Sequence, residues 1–389
     1  MRGVVTIMNR ILLRRSHFLI CSALFAVNLV NNVMGAPHLI YLGTYTRTGP
    51  SKGIYAVRLD RETGALSTPE LMAEGTDPAW VTLSPDRRFL YTLHGAAAQA
   101  IGFAVDPTTG KLTPLPTALA ANLATPANPP SHLVVDATGR TLLAANYRDG
   151  YVASIPIRRD GTLGEPRIIR HAGRGTHPTR QEKPHVHSVT LSPDNRYVIV
   201  ADLGLDRVFS YALDSAAASL TPANPPYVAT TAGAGPRHSK FGRDGQHAYV
   251  INELNNTITT FDYDALRGAL TPKQSVSTLP ADFIGQSSTA EIRVHPNGRF
   301  VYGSNRGDDS LAVFAVKPAT GELTIVEIVK TGGKTPRNFA LSPDGSWLVC
   351  GHQDTPMLTV FRVDGASGRL TRIASTASVP SCVCVQFFD

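Results

Sequence analysis

The chain has 389 residues, of which 42% are hydrophobic and only 17% charged, with 33 glycines and 28 prolines. This balance provides for a large core and favours many short strands joined by many turns. Runs of Lys and Arg interleaved with aromatic residues are missing, so the composition argues against nucleic-acid binding.

Residues 1–36 have the three parts of a secretory signal peptide. Four arginines without an acidic partner precede an apolar run from Phe18 to Val30, and small residues near Ala36 offer a cleavage site. The apolar run is short for a membrane span, although an uncleaved anchor is the alternative interpretation. Cleavage would lower the formal charge from +7 to +3. We therefore expect a signal peptide over 1–36, a single domain over 37–389, export to the periplasm, and no stable membrane insertion after cleavage.

Two short patterns recur along the rest of the chain. The first is a turn followed by an apolar run, at intervals of 47 to 56 residues, and the middle residues of its six copies are Pro85, Ala137, Pro193, Arg243, Pro296 and Pro343. The second is a turn with Gly or another small residue shortly before Leu, and its seven copies are LDRETGAL (59–66), VDPTTGKL (105–112), RRDGTL (158–163), LDSAAASL (213–220), YDALRGAL (263–270), VKPATGEL (316–323) and VDGASGRL (363–370). A complete unit therefore contains four antiparallel strands, which is the blade of a β-propeller.

The unequal numbers of copies predict how the ring closes. Residues 38–72 supply only the last three strands of a unit, and PSCVCV (380–385) resembles the first strand of another unit. Joining the two segments completes a seventh blade and removes the exposed edges of an open array. We therefore predict an all-β fold, a seven-bladed propeller of four-stranded antiparallel blades with one blade shared by the chain ends. A pair of β-sandwiches, the competing architecture, would not explain the period or the split unit.

The cysteines that follow the leader give no sign of a metal site or a disulfide framework. Cys350, Cys382 and Cys384 are odd in number and lack metal-ligand spacing. Cys382 and Cys384 lie two residues apart on a predicted strand, which is poor geometry for pairing with each other. We interpret all three as small buried residues.

Polar side chains concentrate on one face of the predicted disc. The start of the first strand and the end of the second strand of every blade share this face, because antiparallel strands bring their outer ends together. The positions concerned, blade by blade, are Asp77–Trp80 with Leu93–Gly95, Ser131–His132 with Asn146–Arg148, His185–His187 with Asp202–Asp206, Arg237–His238 with Asn252–Glu253, Thr289–Glu291 with Asn305–Arg306, and Arg337–Asn338 with His352–Asp354. The opposite face carries SPDG-type turns, which turn chemistry explains by itself.

The hairpin GPRHSKFGRDGQHAYVINEL (235–254) shows this convergence most clearly, because it brings Arg237 and His238 towards Glu253. A long, basic, His-rich connection over 171–187 ends at the same face, and a loop of this length in a compact domain is functional or mobile. His185 and His187 alternate along the next strand, so at most one of them faces the channel.

Each candidate also has a structural interpretation. Asp202 could cap a loop, and Glu291 could form a buried ion pair with Arg306 or Arg337. As a set, His, Arg and Glu side chains that converge on a channel mouth predict binding of an anionic group and activation of water.

Several stretches resemble the bacterial 6-phosphogluconolactonase family of seven-bladed propellers, which is related to the fungal carboxy-cis,cis-muconate cyclases. The resemblance covers nearly all of the chain after the leader, and the matching stretches are RQEKPHVHSVTLSPDNRYVIVADLGLDRVFSY (180–211), GAGPRHSKFGRDGQHAYVINELNNTI (233–258), STAEIRVHPNGRFVYGSNRGDDSL (288–311) and GKTPRNFALSPDG (333–345).

The resemblance implies hydrolysis of a lactone of a sugar acid, similar to 6-phosphogluconolactone, or of a related acidic lactone, without a metal or another cofactor. By motif position it implies a catalytic set of His187 (or His185), Arg237 and Glu253, with Glu253 or His187 as general base. We expect the residues that bind the substrate to be His185, Asp202, His238, Glu291, Arg306 and Gln353. A lactone-forming cyclase of the muconate type and a non-catalytic exported propeller that binds a glycan or a protein are the alternatives.

Overall fold

The computed structural model describes residues 35–47, 49–94, 99–116, 121–122 and 131–388. The predicted signal peptide lies outside these ranges except for its last two residues. Within them the secondary structure consists of strands, turns and bends, and no helix is long and apolar enough to cross a membrane.

The strands form seven antiparallel sheets, numbered here as blades 1 to 7. The three strands that precede blade 1 in the chain are β1 (His38–Thr44), β2 (Gly53–Leu59) and β3 (Glu70–Glu74). Blade 1 comprises β4 (Val81–Leu83), β5 (Phe89–His94), β6 (Gln99–Val105), β7 (Leu112–Pro114) and β8 (Ala121–Asn122). Blades 2 and 3 comprise β9 (His132–Val135), β10 (Thr141–Asn146), β11 (Tyr151–Pro156), β12 (Arg167–Arg170), β13 (Val186–Leu191), β14 (Tyr197–Asp202), β15 (Arg207–Asp214) and β16 (Ser219–Ala229).

The second half of the ring repeats the same meander. Blades 4 and 5 comprise β17 (Pro236–Phe241), β18 (His247–Asn252), β19 (Thr257–Asp264), β20 (Ala269–Ser277), β21 (Ser288–Val294), β22 (Phe300–Arg306), β23 (Ser310–Val316) and β24 (Leu323–Lys330). Blade 6 and the last strand comprise β25 (Pro336–Leu341), β26 (Trp347–His352), β27 (Leu358–Val363), β28 (Leu370–Ala377) and β29 (Cys382–Phe387). In blade 1 the outer edge is divided, since β7 and β8 both pair with β6.

The last strand closes the ring, as the sequence predicts. Blade 7 has the order β29–β1–β2–β3, and Tyr41 of β1 lies opposite Gln386 of β29. The innermost strand of each blade contacts the innermost strand of the next, and β29 contacts both β25 and β4. The prediction of a seven-bladed propeller with one blade shared by the chain ends is therefore confirmed.

The hydrophobic core lies between consecutive blades. The second strands β10, β14, β18 and β26 are buried along their whole length, because neighbouring blades cover both of their faces. Between blades 3 and 4, for example, Ile199 packs in one cluster with Val250 and Phe261. Full burial of a side chain of this size stabilises the fold by about 1.5–3 kcal/mol. The three cysteines of the described ranges are buried and free, as expected from the sequence.

The turn of the second repeat pattern joins the third and fourth strands of a blade and packs against the preceding blade. Gly268, in the turn between β19 and β20, has a φ of +68°, and a Cβ atom there would lie 2.2 Å from the ring of Tyr197 in blade 3. The Tyr197 hydroxyl donates a hydrogen bond of 2.9 Å to the carbonyl oxygen of Leu266 in the same turn. Other turn glycines meet a ring of the preceding blade in the same way, namely Gly64 with Trp347, Gly161 with Phe89, Gly321 with His247, and Gly368 with Phe300.

We predict that Gly268→Ala destabilises the fold by about 2–5 kcal/mol, because left-handed backbone strain is added to a clash with Tyr197. The matched control is Gly139→Ala, where φ is +71° but the nearest atom to an added Cβ is 3.8 Å away. We expect only the strain of about 1–2 kcal/mol there. Urea unfolding of both variants measures the difference, and equal losses would show that the contact between blades contributes nothing.

Candidate active site

The hairpin of β17 and β18 brings its two outer ends together. Pro236 lies opposite Asn252, and Arg237 Nε donates a hydrogen bond of 2.9 Å to Oε2 of Glu253 just beyond β18. The register shifts between Pro236 and His238, so Arg237 occupies a β-bulge. A bulge places one extra residue in the strand and redirects its side chain. The Arg237 and His238 side chains consequently contact each other, with Nη1 and Nε2 3.2 Å apart, instead of alternating between faces.

Glu253 is held by three arginines from three different parts of the chain. Oε2 is 2.9 Å from Arg237 Nε and 2.9 Å from Nη2 of Arg306 at the end of β22, and Oε1 is 2.5 Å from Nη2 of Arg180. Glu253 is 4% exposed and Arg237 2%. Burial by itself would raise the pKa of the Glu253 carboxyl, but Arg306 and Arg237 hold it well below the usual value. Glu253 is therefore ionised in the folded protein.

Arg180 belongs to the long connection 171–187, and the buried amide of Gln181 fixes this loop. Gln181 Nε2 donates a hydrogen bond of 2.7 Å to Oδ1 of Asp206, and its Oε1 accepts one of 2.8 Å from the backbone N–H of His177. Arg180 also lies 3.3 Å from the hydroxyl of Tyr147. The basic composition of the connection predicts a functional loop, but nothing in the sequence singles out Arg180 as a ligand of Glu253.

His187, and not His185, joins this cluster. The register of β13 shifts between Val186 and Ser188, so His187 also occupies a bulge. Its ring centroid is 5.1 Å from that of His238, and its buried Nδ1 has no hydrogen-bond partner among the described residues. Burial and the charge of Arg237 lower the pKa of His187 well below 6.5, so its imidazole is neutral.

His185 packs against Tyr147. Its Nδ1 is 2.9 Å from the Tyr147 carbonyl oxygen, its Nε2 is 3.2 Å from Glu182, and its ring stacks on the Tyr147 ring at 4.4 Å. Both ring nitrogens are therefore occupied by the protein, in contrast to those of His187.

His238 connects Arg237 to the fully buried Glu291. Its Nε2 accepts from Arg237, so Nδ1 carries the proton and donates to Oε2 of Glu291 at 3.2 Å. Asn338 donates a hydrogen bond of 2.5 Å to the same oxygen, and Arg293 lies 3.5 Å from Oε1. The cation beside Glu291 is thus Arg293, and neither Arg306 nor Arg337 pairs with it. Glu291 positions His238 and, through it, Arg237.

Aromatic and imidazole rings from blades 1 to 4 form a continuous row beside the arginines. The ring of Trp80 is 4.1 Å from that of His132, which lies 5.3 Å from His238. Nδ1 of His132 is buried and has no partner within the described ranges, and burial and His238 lower the pKa of His132 well below 6.5. In the described ranges, no three His, Cys, Asp or Glu side chains are arranged to hold a metal ion. The sequence places Trp80 and His132 at this face, but it does not distinguish them from the other positions there.

Two residues expected to bind substrate lie apart from the cluster. Asp202 is fully buried, and its oxygens accept hydrogen bonds of 2.6 Å from His171 Nδ1 and 2.8 Å from the backbone N–H of His185. This is the loop-capping arrangement that the sequence leaves open for Asp202. The side chain of Gln353 donates to Asp354 at 3.1 Å and to no other described residue.

The family described as "Lactonase, 7-bladed beta-propeller" matches residues 39–387. A 6-phosphogluconolactonase of Bacillus subtilis is 39% identical over 89% of this chain and 97% of its own length. The periplasmic gluconolactonase of Pseudomonas aeruginosa superposes with a TM-score of 0.83 and 33% identity, covering 90% of this chain and 98% of its own. A protein of Lactobacillus plantarum superposes with a TM-score of 0.84 and 34% identity, covering 91% of this chain and 100% of its own.

The buried, neutral histidines predict loss of stability in acid. His132, His187 and His238 all have pKa values well below 6.5, so the unfolded chain binds more protons than the folded one as the pH falls below 6.5. Their contribution is fully present above pH 6.5 and is lost below it. The free energy of unfolding therefore falls as the pH is lowered below 6.5. We expect His132→Phe to reduce the slope of this fall by up to about 1.4 kcal/mol per pH unit. Urea unfolding from about pH 8 to about pH 5 measures it, and an unchanged slope would contradict the prediction.

Proposed function

This chain belongs to the seven-bladed β-propeller lactonase family, and we propose that its channel mouth hydrolyses an acidic lactone of a sugar acid, of the 6-phosphogluconolactone type. The observation that carries the proposal is a neutral histidine, His187, whose buried Nδ1 has no hydrogen-bond partner among the described residues, near three arginines that share the carboxylate of Glu253. This combination supplies a base for water and cations for developing negative charge.

We assign the general base to His187. A neutral imidazole with an unoccupied nitrogen can take the proton of a water molecule as that water attacks the lactone carbonyl carbon. The new C–O bond forms a tetrahedral oxyanion, and the bond to the ring oxygen then breaks. The imidazolium of His187 returns its proton to the leaving alkoxide, which becomes the hydroxyl group of the product acid. The sequence leaves Glu253 or His187 open as the base, and the oxygens of Glu253 are already engaged by three arginines whereas Nδ1 of His187 has no partner among the described residues.

The arginines supply the electrostatic part of the reaction. Arg306 donates a hydrogen bond of 2.7 Å to the carbonyl oxygen of Thr289 and contacts Glu253, while its buried Nε has no partner in the described part of the chain. An N–H group held in this way is preorganised to stabilise an oxyanion. The positive charges of Arg180, Arg237 and Arg306 repel one another. The carboxylate of Glu253 offsets this repulsion and allows the three side chains to stay charged and close together.

We also propose that residues 1–36 direct the protein to the periplasm. The support is the three-part pattern of this segment, together with the similarity of the chain to the periplasmic gluconolactonase of Pseudomonas aeruginosa.

We predict that the protein expressed from residue 1 in a Gram-negative host is recovered from the periplasmic fraction, and that its first 36 residues have been removed. A version that starts at Pro37 stays in the cytoplasm. N-terminal sequencing of the secreted form checks the cleavage site. An uncleaved protein that sediments with membranes would establish the anchor instead.

We predict that His187→Gln and Glu253→Gln both lower kcat/KM, by about 10²–10⁴-fold for the base, but differ in stability. His187→Gln removes a group without hydrogen bonds, so the fold loses little. Glu253→Gln leaves Arg237 buried without its counter-ion and costs about 3–5 kcal/mol of unfolding free energy.

Lactone opening in a pH-stat and urea unfolding give the two measurements, and His177→Gln, on the same loop but outside the cluster, is the control. Full activity of His187→Gln would refute its role as base. If the wild-type protein opens no aldonolactone in a panel that includes phosphorylated and uncharged members, the proposed function itself is wrong.

A further inference from the structure

Three arginines contact Glu253 at the channel mouth. A further arginine, Arg337 at the start of β25, has no hydrogen bond or ion pair with any described residue. It adjoins the cluster, since the next residue, Asn338, donates a hydrogen bond of 2.5 Å to the Glu291 oxygen that also accepts from His238. Its charge contributes to lowering the pKa of Arg237, Arg306 and His187. Arg337 is half-buried, so this uncompensated charge is only partly solvated.

Arg337 occupies the same structural position in blade 6 that Arg237 occupies in blade 4. The register of β25 shifts between Pro336 and Asn338, as that of β17 shifts between Pro236 and His238. The bulge residues of blades 3, 4 and 6 are thus His187, Arg237 and Arg337. Since the first two carry the proposed chemistry, the third is directed at the same mouth by the same backbone device.

The guanidinium of Arg337 is supported on one side. Its Cζ lies 5.6 Å from the centroid of the Tyr45 ring, and the backbone N–H of Tyr45 donates 3.1 Å to the carbonyl oxygen of Ser381 in the closing blade. A cation–π contact fixes the plane of the guanidinium and leaves its N–H donors unused. A planar fork of free donors matches the oxygens of a carboxylate or phosphoryl group.

The charge balance of the mouth points to an anionic ligand. Arg180, Arg237 and Arg306 share the single carboxylate of Glu253, which leaves these four groups with a net charge of +2, and Arg337 adds a further charge without an ion pair among the described residues. The neighbouring histidines are neutral, and the cations that act on Glu291 are Arg293 and Lys240. Glu253 therefore neutralises only part of the positive charge, and the remainder needs an anion from outside the protein.

We propose that Arg337 binds the acidic substituent of the lactone, a phosphoryl or carboxylate group remote from the reacting ester, and thereby selects anionic over uncharged lactones. This inference rests on the proposed lactonase function and names the substrate class of the same site. Arg337 acts in specificity, while the oxyanion lies with Arg306 and Arg237.

The test compares Arg337→Gln with the wild type on 6-phosphogluconolactone and on uncharged gluconolactone. We expect KM for the phosphorylated lactone to rise about 10- to 100-fold, the loss of one charge-assisted hydrogen-bonded contact. KM for the uncharged lactone stays within about twofold, because that lactone has no acidic substituent to lose. Removal of the Arg337 charge also changes the surroundings of His187, but this alters kcat for both lactones alike, so the ratio of the two kcat/KM values isolates the role of Arg337. Arg337→Lys restores part of the affinity, since it keeps the charge but not the planar fork. Urea unfolding confirms that each variant is folded.

Arg88→Gln is the matched control, because Arg88 is an exposed arginine beside an SPD-type turn of the opposite face and its nearest carboxylate is Asp86 at 3.8 Å. An equal KM increase in this variant would reveal general electrostatic attraction and overturn the assignment. If Arg337→Gln lowers kcat/KM equally for both lactones, or for neither, the assignment is overturned as well.

Calorimetric binding of 6-phosphogluconate and gluconate separates this inference from the proposed function. If the wild-type protein hydrolyses neither lactone, the lactonase proposal fails, and the calorimetric comparison still decides the role of Arg337. Weaker binding of 6-phosphogluconate alone in Arg337→Gln supports the anion site. Unchanged binding of both acids, or none to the wild type, overturns it.

Discussion

The carboxylate of Glu253 is the interaction on which the other site residues rely. Arg180 reaches it from the long connection before blade 3, Arg237 from β17 and Arg306 from the end of β22. Because three guanidinium groups would repel one another in a poorly solvated channel, their approach requires this anion. One buried charge thus joins a loop and two blades, and it fixes the distance between the cations that a reacting lactone would meet.

That arrangement is possible only because the ring is closed and its blades cannot slide. An aromatic or imidazole ring of one blade packs against a turn of the next blade, as the ring of Tyr197 packs against Gly268, and β29 completes the sheet that contains β1. Each contact has little room for adjustment, since an added Cβ atom would overlap the ring. Rigid packing between blades therefore holds the channel-lining strands at fixed angles, and side chains from different blades meet at hydrogen-bonding distance.

The site separates charged groups from neutral ones. The arginines and Glu253 remain ionised, whereas His132, His187 and His238 are kept neutral by burial and by the nearby positive charge. His238 is further fixed in one tautomer between Arg237 and Glu291. His187 lies near Arg237 and has a buried Nδ1 without a hydrogen-bond partner in the part of the chain that the structure describes, which gives it the properties of a base in a cationic setting.

The architecture and one pair of site residues could be predicted from the amino-acid sequence. A period of about fifty residues, two turn patterns and a split terminal unit specify a closed ring of seven blades, because strand pairing within a blade is local. The same pairing predicts that Arg237 and Glu253 converge. The folded chain was needed to show that His187 and not His185 enters the cluster, that Arg180 joins it, and that Arg337 has no counter-ion among the described residues. Bulges at the starts of the inner strands break the alternation of side chains, and contacts between blades depend on the closed ring, so neither follows from spacing along the chain.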